Sequence, residues 1–174
     1  GTSILASAMI TSLNSKYIIQ QFEIKNIIDE WGLVNIYRTR SEMNKKSNEL
    51  LKNTKNLDII AMGLKGFRDA KNTDIENYVQ NGLKIRILTI DPNSKYLNKS
   101  DFTEGLAEGS TKSTINSLVK WVNELKKVQT FDGQVQIKTY NHYPYEFYFS
   151  MDDTIFIGPY QNRTSQQTIT YEYN

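Results

Sequence analysis

The sequence predicts an α/β fold: a central mixed sheet, three parallel strands plus a C-terminal antiparallel hairpin, flanked by helices. Three observations carry this. Short runs rich in β-branched residues at 33–37, 57–62 and 83–90 are separated by helical stretches, the pattern of parallel βαβ units. A strongly amphipathic helix follows, with Ile115, Leu118, Val119, Val122 and Leu125 on one stripe. Beyond it, residues alternate over 134–140, and the stretches 145–151 and 154–157 read as a hairpin turning at Asp152-Asp153.

The elements follow in order. Residues 4–30 read as helix, because Ile10, Leu13, Tyr17, Ile24, Ile27, Ile28 and Trp31 recur at near-helical spacing. Asn14-Ser15 is a point at which this helix can divide in two, and Gly32 is its expected C-terminal cap. Residues 1–31 thus form a helical segment ahead of a domain spanning 32–174. Leu33–Tyr37 is the first strand, followed by a polar helix over 41–54 with Ser41 as N-cap. The second, largely buried strand runs from Leu57 to Met62 and ends in the glycine-rich turn Gly63-Leu64-Lys65-Gly66. A helix over 73–81 starts near Thr73 or Asp74, buries Ile75, Tyr78 and Val79, and stops at Asn81-Gly82. The clearest strand, 83–90, ends in the turn chemistry of Asp91-Pro92-Asn93-Ser94. Residues 98–111 read as a mobile surface loop, and Thr168–Tyr171 as an added edge strand.

The length of 174 residues fits one compact domain, and 39% hydrophobic with 23% charged residues is enough to bury a core. A net charge of +2 gives no strong nucleic-acid signal. The absence of cysteine excludes disulfides, thiolate metal sites and a thiol nucleophile; the single histidine, His142, excludes a multi-histidine metal site within one chain. No metal or cofactor is implied. No run of apolar residues is long enough to span a bilayer, so a cytoplasmic location is expected. The start Gly1-Thr2-Ser3, without an initiator methionine, is expected of a piece of a longer protein that has lost an upstream domain or membrane anchor.

Three stretches carry a family resemblance: Trp31-Gly32-Leu33-Val34-Asn35-Ile36-Tyr37-Arg38-Thr39-Arg40, Leu57-Asp58-Ile59-Ile60-Ala61-Met62-Gly63-Leu64, and Asn81 through Ser94. From Gly32 onward the chain resembles the phospholipase D-like superfamily, and more narrowly the compact single-copy domains appended to bacterial regulatory proteins. Active members carry His-x-Lys-x-x-x-x-Asp and then Gly-Ser-x-Asn; the His attacks phosphorus, the Lys neutralises phosphate charge, and two copies meet at one site. The matching stretch here is Tyr145 to Asp152, with Gly158-Pro159-Tyr160-Gln161 after it. Asp152 and Gly158 are retained, but Tyr145 stands at the nucleophile position and Phe147 at the lysine position. A frame begun at His142 puts Pro144 at the lysine position. The resemblance therefore implies the fold and a homodimer while arguing against the chemistry.

Ligands of open α/β sheets bind beyond the carboxyl ends of the strands. The first strand delivers Arg38 and Arg40 there, the second Lys65 and Arg68, and the third Asp91 and Asn93. Converging cations suit a phosphate; a solvated surface with local salt bridges is the plainer explanation. Tyr145, Tyr148 and Tyr160, in a segment that also holds Tyr140 and Tyr143, can stack on a base or simply pack the sheet. His142 is a candidate ligand contact or general base, or a loop histidine among tyrosines. Gln161, Asn162 and Arg163 offer further polar contacts. Asp152-Asp153 can bind a cation or make a turn, and the turn accounts for both residues. The expected function is a non-catalytic, ligand-sensing regulatory domain that binds an anionic small molecule, a nucleotide or another phosphorylated compound. The alternatives are a phosphodiesterase or nuclease with a divergent site, and a protein-interaction and dimerisation module.

Overall fold

The computed structural model describes residues 25, 26, 28–160 and 168–174. The helix expected over 4–30 lies outside them except for its last turn, and so do Gln161, Asn162 and Arg163. That last turn ends at Gly32, whose φ of +67° and N–H bond to Asp29 O are those of a helix C-terminal cap.

The described elements are β1 (Leu33–Tyr37), α1 (Arg40–Leu51), β2 (Asn56–Ile60), α2 (Lys65–Gln80), β3 (Lys84–Ile90), α3 (Leu97–Glu104), α4 (Ser110–Val128), β4 (Val135–Tyr140), β5 (Glu146–Met151), β6 (Thr154–Pro159) and β7 (Thr170–Tyr173). The strands form one mixed sheet in the order β1-β7-β6-β5-β2-β3-β4. β2, β3 and β4 pair in parallel, and all other neighbours are antiparallel.

Three parallel strands are present, as the sequence pattern implies, but β1 is not one of the paired set. It lies at the far edge and pairs with β7, while β4 completes the parallel trio. β7 is therefore not an edge strand. Four antiparallel pairings separate β1 from β2, so the two still run in the same direction, and the residues after β1 emerge at the carboxyl end of β2 and β3.

The core lies on one face. Met43 and Leu51 of α1, Ile75 and Val79 of α2, and Leu118, Val122 and Leu125 of α4 pack on Leu57, Ile59, Ile85, Ile87, Phe147, Phe149, Met151 and Phe156. Strand alternation produces this: every second residue of β5 is buried, and Tyr148 between them points the other way. On that opposite face the register aligns Ile36, Tyr171, Ile157, Tyr148, Ile60 and Leu88 in one row across six strands. None of the six belongs to a core cluster.

Three helix boundaries differ from the sequence expectation. α1 starts one residue early, because Thr39 is the cap: its Oγ1 accepts from Glu42 N–H while Glu42 Oε2 accepts from Arg38 N–H. α2 starts at Lys65, eight residues ahead of Thr73. The segment 98–111 is not a loop. α3 occupies its first half, although LNKSDFTE offers almost no apolar stripe. Leu97 anchors its first turn against Ile90 and Ile115, and polar bonds hold the rest: Asp101, 2% exposed, accepts from Gly109 N–H, Thr111 N–H and Thr111 Oγ1. That carboxylate caps α4 from the side and ties the two helices together. Asp152 closes the β5–β6 hairpin at φ +51° and accepts from Lys55 N–H, Asn56 N–H and Asn56 Nδ2. Burial is the largest single influence and pushes its pKa up, but those bonds and the nearby Lys55 charge together outweigh it and the net shift is downward. No described helix is long and apolar enough to cross a membrane.

Candidate functional site

A cavity of about 550 Å³ opens at the carboxyl end of β2, between α1, the start of α2 and the start of α4. Its shape begins with the turn after β2. Gly63 and Leu64 are successive left-handed residues, with φ of +58° and +51°. Only glycine fits at 63, since a Cβ there would stand 2.3 Å from Thr114 Cγ2. This turn aims the first turn of α2 at the cavity. Arg68 N–H bonds Leu64 O, so the amides of Lys65, Gly66 and Phe67 precede the first intrahelical bond, and no side chain caps them. All three residues line the cavity. The contrast with α4, whose start Asp101 fills, is plain: of the two helix N-termini here, one is plugged by a carboxylate and one is open to an anion.

Arg40 forms the floor. It is the first residue of α1, fixed by the Thr39–Glu42 cap, and its guanidinium lies over the Phe147 ring, 3.8 Å from the centroid. Gly158, opposite Phe147 on β6, makes room for that ring: a Cβ there would meet Phe147 Cε1 at 2.3 Å and Ile169 O at 2.7 Å. The stack Gly158–Phe147–Arg40 thus fixes a cation at the cavity floor. Arg40 Nε and Nη2 are buried with no hydrogen-bond partner among the described residues. Burial lowers the pKa of Arg40, and Tyr160 and Glu104 act against that shift. The Tyr160 hydroxyl accepts from Met62 N–H at 3.2 Å, which seats its ring on the cavity wall; burial raises its own pKa.

Of the residues singled out from sequence, Arg40, Lys65 and Tyr160 meet at this cavity. The others do not line it. Arg38 is exposed. Arg68 turns back and donates through Nε to Gly63 O at 3.1 Å, bracing the turn rather than facing a ligand. Asp91 accepts from Asn93 N–H within its own turn, and Asn93 accepts from Lys112 Nζ. Tyr148 points to the opposite face of the sheet, between Ile60 and Ile157. His142 and Tyr145 belong to a separate aromatic group with Tyr96 and Tyr143, with ring centroids 5.5–6.3 Å apart. Asn162 lies outside the described residues.

Sequence reasoning missed Lys71, Asn44, Asn48 and, above all, Glu104. Glu104 closes α3 just before Gly105 (φ +67°), and its carboxylate lines the cavity. Burial raises its pKa; Arg40 opposes that shift and Asp101 adds to it. The one signal in the chain was the Glu-Gly pair at 104–105, a helix-ending pattern inside a segment too polar to read as helix.

No protein-family model matches the chain, and no curated protein matches it. Among solved structures, TrmBL2, an archaeal chromatin protein with a novel mode of DNA binding, aligns with 99% of this chain at a TM-score of 0.47 and 14% identity. The chain spans 57% of the length of that protein. A likeness so distant assigns neither family nor function.

Proposed function

We propose that the chain is a non-catalytic ligand-binding domain of regulatory type, with a phospholipase D-like fold, whose cavity holds a phosphorylated small molecule. One observation carries this reading: Arg40, Lys65 and Lys71 converge on a cavity into which the uncapped first turn of α2 opens. Three cations and a row of uncapped amides suit the oxygens of a phosphate. The size fits a nucleotide-scale ligand, and Met43, Leu64, Phe67 and Phe149 give it the apolar walls usual for such sites. Catalysis by the superfamily's chemistry is not part of the proposal. Phe147, at the lysine position, is fully buried under Arg40, and Tyr145, at the nucleophile position, is 68% exposed and belongs to a different cluster.

The test is thermal denaturation of the chain with inorganic phosphate, pyrophosphate, ribose 5-phosphate and nucleoside monophosphates. A compound that binds the folded state raises Tm by mass action. Replacing Arg40 by Ala should weaken binding by about 10- to 100-fold, the value of one charge-assisted contact in a partly buried site. If no phosphorylated compound shifts Tm at millimolar concentration, the reading fails. The apolar row Ile36, Tyr171, Ile157, Tyr148, Ile60 and Leu88 favours a second reading, a self-association surface giving a homodimer. Light scattering tests it, and a monomer at high concentration refutes it.

A further inference from the structure

The carboxylate of Glu104 is placed against every rule of stability. It is half-buried, it sits at the C-terminal end of α3 where the helix dipole repels a negative charge, and Asp101 stands one turn behind it. It makes no hydrogen bond or ion pair among the described residues. Arg40, the natural partner, lines the same cavity and feels its charge, yet the two do not close on each other. Arg40 in turn is held on the Phe147 ring with two N–H groups unpaired. Two opposite charges line one cavity without closing into an ion pair, and Arg40 keeps two buried nitrogens without acceptors although Tyr160 stands beside it. The ligand that completes such a pair presents N–H donors to one side and acceptors to the other.

The geometry points to Glu104 as a base-reading residue that selects guanine. This rests on the proposed binding of a phosphorylated ligand, and it names the nucleotide. A carboxylate only accepts hydrogen bonds. Guanine alone among the common bases carries two adjacent donors, N1–H and the 2-amino group, and these match the two oxygens of one carboxylate. Adenine and cytosine each set a ring-nitrogen acceptor beside their single amino group, and uracil flanks its one N–H with two carbonyls. Each of these would turn a lone pair toward Glu104. Arg40, on the same cavity, meets the acceptor end of the ligand, its phosphate. Phe67 and Phe149 supply ring faces along the wall, and Lys65 at the open start of α2 takes the phosphate.

The experiment is calorimetric titration of the full chain with GMP, IMP, AMP, CMP, UMP and ribose 5-phosphate, repeated for Glu104→Gln and Lys65→Ala. GMP is expected to bind about 10-fold or more tightly than AMP, CMP or UMP, since the wrong bases leave a buried acceptor unpaired. IMP lacks the 2-amino donor and falls between them, a comparison that needs no variant. Glu104→Gln should level the nucleotides, GMP losing its advantage over AMP, CMP and UMP, while ribose 5-phosphate still binds, at least as tightly as before, because a negative charge has left the cavity. Lys65→Ala should weaken all ligands alike and keep the order. Equal affinity for GMP and AMP in the unaltered chain, or a preference that survives Glu104→Gln, overturns the inference and leaves the phosphate reading standing. If ribose 5-phosphate and every nucleotide fail to bind, both fall.

Discussion

Arg40 offers the sharpest test of whether this cavity is built for a ligand rather than for stability. Replacing it by Met keeps an unbranched apolar stem, two atoms shorter, and removes the charge. Two buried N–H groups without acceptors each cost about 1–3 kcal/mol, the usual penalty for an unsatisfied buried donor. Against this, a guanidinium seated 3.8 Å over the Phe147 ring returns about 0.5–2 kcal/mol. The hydrogen bond and charge interaction with Tyr160 are lost as well, worth about 1.5–3 kcal/mol for a bond to a charged group, and so is the attraction of Glu104, leaving that carboxylate less well compensated. These contributions nearly cancel, so the variant should match the parent to within about 1 kcal/mol, which for a chain of this size is about 2–4 °C in Tm. Chemical or thermal denaturation of both proteins measures it, in a buffer free of phosphate and sulfate so that no anion stabilises the unaltered chain. The same variant should show no Tm increase with phosphorylated compounds. A variant less stable than the parent by 1 kcal/mol or more would refute the reasoning, for the guanidinium would then be a structural group whose partners outweigh its desolvation.

Two further outcomes follow from the same region. Gly158→Ala drives a methyl into Phe147 and into the Ile169 carbonyl, a backbone atom that cannot step aside; it should destabilise by about 2 kcal/mol or more, seen as a lower denaturation midpoint, and parent-like stability would refute the close approach. Glu104 has a raised pKa in the folded state, so the folded chain holds that proton more tightly than the unfolded one and stability falls as pH rises through and just above the ordinary carboxylate range. The titratable and charged groups around it are Arg40, Lys65, Lys71 and Asp101. Glu104→Gln should therefore be more stable than the parent at neutral pH, with the difference shrinking toward acid pH in parallel melts; a variant less stable at pH 7 would show that the carboxylate has a partner.

Much of the fold was legible in the chain because its signals are local. Alternation at 147–151 and the β-branched run at 84–90 mark strands whichever neighbours they acquire. The helical stripe at Ile115, Leu118, Val122 and Leu125 marks α4, and Gly32 and the Asp152 turn state their own geometry. The site was half legible for the same reason. Arg40 and Lys65 follow strands that run in one direction, and α/β sheets gather ligands at that end.

What the sequence alone determined, then, was the class of fold and the end of the sheet to inspect. The tertiary structure decided the rest. Whether β1 joins β2 or crosses to β7 depends on which edge remains free once the hairpin has docked, and no local pattern records that. α3 has no apolar stripe to announce it; it is held by the one buried Leu97 and by the carboxylate of Asp101, which finds three donors at the start of α4. The same docking carries Glu104 into the cavity beside Arg40, more than sixty positions earlier in the chain. A charge left unpaired by its neighbours can be seen only when all the neighbours are in place, because pairing is a property of the folded surroundings and not of the residue.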